Sequence, residues 1–161
     1  MRSVLLCFHL VFIFGTFHAK ADVFGDGDLL QLNFGPYIYH YSSTPGRNSY
    51  PWYTGLEWES ASRWELGGAI FSNSYYQPSG YLYGGKRFIY GSESRHLFLK
   101  ITAGAILGYV PPHEDKIPVN KNGLGLGIIP AIGYKHGRTS IQIAILSTSA
   151  LMLNIGYDIW R

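Results

Sequence analysis

Hydrophobic and polar residues alternate along most of the chain with a period of two, and almost nowhere at helical spacing. In Ser140-Ile141-Gln142-Ile143-Ala144-Ile145 the isoleucines share one face and small or polar residues the other. Leu151 through Ile159 repeats the rule, with Asn154, Gly156 and Asp158 opposite the apolar set. This is strand periodicity. Glycine punctuates every segment, and no stretch combines sustained three- and four-residue apolar spacing with helix caps. The pattern predicts eight strands, at 31–42, 52–59, 64–74, 80–90, 96–110, 123–134, 139–146 and 151–160.

The connections alternate in character. Those after the second, fourth and sixth strands are short and carry Arg63, Arg95, Lys135 and Arg138. Those after the first, third and fifth hold Pro-Gly, Gln-Pro-Ser-Gly and the long segment 111–122. Short turns at one rim and long loops at the other predict an all-β, eight-stranded antiparallel transmembrane β-barrel. Two rivals share parts of this pattern. Segment 139–157 is free of charge and long enough for a membrane helix, but it carries a Ser-Thr-Ser break at its middle. A soluble lipocalin-like barrel needs polar outward faces, whereas many strands here read as apolar on both faces. Apolar exteriors point to lipid, and apolar interiors to a space for something greasy.

The first residues form a separate unit. Arg2 precedes a nearly unbroken apolar run, and Ala19-Lys20-Ala21 supplies the small residues that a signal peptidase reads. Residues 1–21 are therefore expected to be a cleaved signal peptide, leaving 22–161 as the barrel. Cys7, the lone cysteine, lies in the leader, so a disulfide framework and a cysteine-built metal site are excluded. Of 13 basic side chains, Arg2 and Lys20 leave with the leader, and 11 remain against 10 acidic ones. Scattered, balanced charge is no signature of nucleic-acid binding. An exported, near-neutral, Tyr- and Gly-rich chain suits the bacterial outer membrane, and Tyr and Trp near strand ends fit interfacial girdles as well as ordinary β-propensity.

Two features touch the interior. Gly123, Gly125 and Gly127 alternate and so share a face; pointing inward, they would open a slot along the wall. They lack the spacing and βαβ context of a dinucleotide fingerprint. Pro36 and Pro130 interrupt the first and sixth strands, where a missing N–H leaves a weak seam. Lateral access for a lipid chain is one use of such a seam. His113-Glu114-Asp115 lacks metal-ligand spacing, and no metal is expected. Arg47, Lys116 and Lys121 fall in the long loops.

Tyr50-Pro51-Trp52, Ser62-Arg63-Trp64-Glu65 and the run Gly67 through Ser74, followed by Thr102-Ala103-Gly104, Ile117-Pro118 and Ile129 through Tyr134, resemble the outer-membrane lipid A palmitoyltransferases in the same order. The resemblance implies a barrel with an acyl-chain-measuring interior. Its implied reaction moves a palmitoyl group from a phospholipid donor to a lipid A acceptor, without a cofactor and as a monomer. It also implies a catalytic His after the first strand's proline, matched by His40, and an Asp-Ser pair ending the third strand. Ser74 matches the serine, but Asn73 stands where the family has Asp. Strands one and three run the same way, so His40 and Ser74 should reach one rim, where His40 could take a proton and Ser74 with Asn73 position the ester. The family's helix before the barrel is missing, and the loop between the last two strands is shorter. The alternative readings are a non-enzymatic barrel that binds or passes small amphiphiles, and a purely structural envelope protein.

Overall fold

A computed structural model describes residues 25–42 and 44–161. The expected signal peptide lies outside the described residues. Eight strands, β1 Leu29–His40, β2 Tyr53–Glu59, β3 Trp64–Ser72, β4 Pro78–Ser92, β5 Arg95–Leu107, β6 Leu124–His136, β7 Thr139–Leu146 and β8 Ala150–Trp160, close into an antiparallel barrel in sequence order. Segment 139–157 is the β7–β8 hairpin, with Leu146 paired to Ala150, and no membrane helix. Turns 60–63, 93–94 and 137–138 lie at the rim of the chain termini; segments 41–42, 44–52, 73–77, 108–123 and 147–149 lie at the other.

Each strand splits its residues between two environments. Outward positions are apolar and exposed, as Leu66 (57%), Leu82 (61%), Leu126 (57%) and Ile128 (72%) show. Inward positions differ from the greasy interior expected above. Near the termini they are polar and charged: Gln31, Glu57, Glu59, Glu65, Arg87, Lys100, Lys135 and Asp158 are all buried. The correction has a simple cause. Closing the sheet puts carboxylates and cations from different strands within reach, so each charge finds partners that no single strand could provide.

Arg87 is the hub. Its Nε lies 2.7 Å from Glu65, its Nη1 2.9 Å from Glu59 and its Nη2 3.1 Å from Glu57. Lys100 Nζ adds a 2.6 Å contact to Glu57, and the Tyr83 hydroxyl donates to the same carboxylate at 2.7 Å. Across the barrel, Lys135 pairs with Asp158 at 2.7 Å, and Gln31 Nε2 donates to it at 2.8 Å. Glu57 and Asp158 have no exposed surface, so this layer leaves no water-wide path beside them.

The loop-side interior is apolar. Ile38, Tyr53, Ala69, Ala131, Ala144 and Met152 form one cluster, and Tyr81, Tyr83 and Ile106 a second. Large side chains lie flat over inward glycines: the Tyr83 ring fills the place a Cβ on Gly67 would occupy, and Phe98 does the same at Gly133. Such aromatic–glycine seating buries a ring without crowding a narrow barrel.

The three alternating glycines are placed differently from the expectation. Gly123 precedes β6 with φ 81° and accepts a hydrogen bond from the Gly108 N–H, so it closes the long loop and lines no wall. Gly125 and Gly127 do face inward, but no slot opens there. Ile117 from the long loop and Ile106 from β5 occupy the space, each 2.5 Å from where a Cβ would stand.

Both prolines mark the end of a ladder. The β1–β2 pairing stops at Gly35↔Tyr53, and the β1–β8 register shifts between Phe34 and Tyr37, around Pro36. The β6–β7 pairing begins at Ala131↔Ala144, leaving Leu124 to Pro130 without partners on β7. The barrel therefore has two seams, both in its loop-side half.

Candidate functional site

His40 ends β1 and points inward, following Ile38 in the alternation. Its Nε2 lies 3.1 Å from the backbone carbonyl of Asn48. A carbonyl only accepts, so Nε2 carries a proton, and whenever the ring is neutral the lone pair is on Nδ1. Nδ1 is enclosed and has no hydrogen-bond partner. An oriented imidazole with an unengaged lone pair is the arrangement a general base needs.

Asn48 holds this arrangement together. Its carboxamide donates to the Ser72 hydroxyl at 3.1 Å and to the Asn73 carbonyl at 3.2 Å, and accepts from the Tyr50 N–H at 2.9 Å. Its backbone N–H donates to the Ser74 carbonyl at 2.9 Å. One buried loop residue thus ties the end of β1 to the end of β3. The sequence reading passed over it. The available signal was an Asn two residues before Tyr50-Pro51, where a side-chain oxygen caps a turn.

Asn73 and Ser74 are brought to the same rim as His40, with different tasks. The Asn73 carboxamide oxygen accepts from the N–H groups of Tyr75 and Gln77, at 2.8 and 3.1 Å. Its nitrogen donates to Gln77 Oε1 and Ser79 Oγ, both at 3.1 Å. All four hydrogen-bonding positions are used. Asn73 therefore shapes loop 73–77 and has no capacity left to hold an ester, a correction to its expected role. Ser74 is half-buried, and its hydroxyl makes no hydrogen bond within the described residues.

The outer loops meet above this point. Tyr75 stacks on His113 with centroids 3.7 Å apart, and the Arg47 guanidinium lies 6.0 Å from the Tyr75 ring. Gln77 Nε2 donates to the Val110 carbonyl at 3.1 Å. Three loops are joined in this way across the mouth. His113, Glu114 and Asp115 do not converge: His113 is stacked, and Asp115 pairs with its neighbour Lys116.

Compared with known proteins, the chain matches no family model, and no curated protein matches it.

Proposed function

We propose that this chain is an exported barrel of the bacterial outer membrane that moves a palmitoyl group from a phospholipid to lipid A. The observation that carries the proposal is His40, with its Nε2–H on the Asn48 carbonyl and its Nδ1 unengaged, two residues beyond Ile38 of the apolar interior cluster. Membrane residence is supported by the outer wall. A belt that exposes Leu66, Ile70, Leu82, Leu126 and Ile128 together is far beyond what a monomer keeps in water. Exposed Tyr37, Tyr39, Tyr50 and Trp52 at the loop rim, with Trp64, Tyr90, Tyr134 and Tyr157 at the other, fit interfacial girdles.

In the proposed reaction a hydroxyl of the acceptor sugar gives its proton to Nδ1 of His40. The oxygen attacks the ester carbonyl of the donor, and a new carbon–oxygen bond forms. The bond to the glycerol oxygen breaks, and the imidazolium returns its proton to that leaving oxygen. In this reaction Ser74 donates a hydrogen bond from its hydroxyl to the carbonyl oxygen as charge builds there. The ladder ends beside Pro36 and Pro130 are the proposed route by which a lipid chain enters from the bilayer.

A second reading is favoured by Asn73. Its fully committed carboxamide leaves the site without the family's carboxylate, which suits a barrel that binds an amphiphile without turning it over. The buried ion-pair layer weighs against passage through the barrel. Mass spectra of lipid A from cells with and without the gene separate the two readings. A species one palmitoyl heavier that disappears in His40→Ala is the outcome expected for transfer; identical spectra would leave the binding barrel.

A further inference from the structure

The rim of the chain termini holds a feature that the His40 site at the other end does not use. Arg95 on β5 and His136 on β6 are direct cross-strand partners, both exposed. His136 faces Thr139 on β7, and Arg138 sits in the intervening turn. Arg161 reaches the same turn, donating to the Gly137 carbonyl at 3.3 Å. Arg95, Arg138 and Arg161 thus put three fixed positive charges on this rim. Nearby acids do not relieve this: Asp158 is buried against Lys135, and Glu93 is engaged by Arg63. No hydrogen bond or ion pair engages the side chains of Arg95, His136 or Arg138 within the described residues.

One step further from the rim, the outward wall turns apolar. Leu97, Tyr134 and Ile141 are aligned across three strands. Together with Ile132 and Ile143 they wall a groove of about 280 Å³ on the outer surface, floored by the paired Gly133 and Gln142. Unneutralised cations thus stand at the end of an apolar trough.

We propose that this trough and rim bind an anionic phospholipid of the leaflet facing the chain termini. Arg95 and Arg138 hold the phosphodiester, and one acyl chain lies in the groove. Charge complementarity selects the occupant: guanidinium groups match phosphate oxygens in sign and hydrogen-bonding geometry, and a zwitterionic headgroup neutralises them less completely. Tyr134 and Tyr157 stand at headgroup level, the usual place for phenols at a membrane interface. The inference rests on membrane residence of the barrel and is independent of acyl transfer.

The test is native mass spectrometry of the barrel released from micelles doped with phosphatidylglycerol or phosphatidylethanolamine. The wild type is expected to retain phosphatidylglycerol in preference. Arg95→Gln and Arg138→Gln should each weaken that retention about fivefold, the scale for one basic residue at an anionic surface. Lys121→Gln, at the opposite rim, should leave it unchanged. Equal retention of both lipids by the wild type, or an undiminished preference in the double variant, would overturn the site. Heat-modifiable migration of each variant reports the folded barrel independently. A chain that stays soluble without detergent sinks the membrane reading itself, whereas lipid A spectra bear only on transfer.

Discussion

The carbonyl of Asn48 receives the His40 Nε2–H at 3.1 Å, and the carboxamide of the same asparagine is bonded to Ser72 and Asn73. The ring is oriented by a backbone oxygen whose own position depends on a side chain anchored to another strand. Neutral groups thus supply the orientation that a carboxylate provides elsewhere. They do not stabilise the imidazolium as strongly, so turnover should be slow.

His40→Ala should abolish palmitoyl addition while the barrel still folds. Asn48→Ala keeps the carbonyl but frees the loop, and displacement of a catalytic group by about 1 Å costs roughly 100-fold in rate. Lipid A mass spectra, together with heat-modifiable migration of both variants, check this pair. Normal transfer by Asn48→Ala would show that the ring is oriented by other means.

Removing the hub of the buried network should be costly. Arg87→Met leaves Glu57, Glu59 and Glu65 facing one another, with Lys100 on Glu57 and Glu65 and Arg63 on Glu59 as the remaining cations. Breaking a buried ion-pair network by deleting one partner destabilises by about 3–5 kcal/mol. Urea unfolding in micelles should show a loss of this size, and Glu57→Gln, which keeps the shape and one acceptor oxygen, should cost less.

The two seams can be closed by restoring donors. Pro36→Ala and Pro130→Ala each return a backbone N–H and loosen φ at a ladder's end. Transfer should fall in the double variant while thermal stability holds or rises. Faster transfer would mean that the seams are not the lipid's route.

Eight strands were legible because alternation and turn residues are local signals. Several boundaries shifted for local reasons: Asn73 caps a loop where β3 was expected to continue, and β4 begins two residues earlier, at Pro78, a proline in the first strand position. The charged interior was not legible. Glu57 and Lys100 are 43 residues apart, and only closure of the sheet brings them to 2.6 Å. Read singly, each looked like a sparse charge on an apolar strand. His40 and Ser74 were reachable from strand direction, which fixes the rim where each arrives. Asn48 was not, because its importance lies in the bonds it makes across two strand ends.

Acid should loosen the start of the barrel. The Asp28 carboxylate accepts from the Gly25 and Ala61 N–H groups and from the Trp58 indole, at 3.0, 2.9 and 3.0 Å. These bonds, the one from Gly25 foremost, hold its pKa below the ordinary 3.8. A lowered carboxyl stabilises the fold above the ordinary value and loses that contribution as pH falls through the lowered one. Hydrogen exchange at Gly25 and Ala61 should therefore stay slow at neutral pH and quicken only below 3.8. Asp28→Asn should remove that dependence.

The layer of Arg87, Lys100 and Lys135 with their carboxylates closes the barrel at the end of the chain termini. A lipid chain that enters the loop-side half has to leave from that half, by a seam or by the mouth. A guest that lingers shuts out its successor, so the pace of such a vessel is set by emptying as much as by filling.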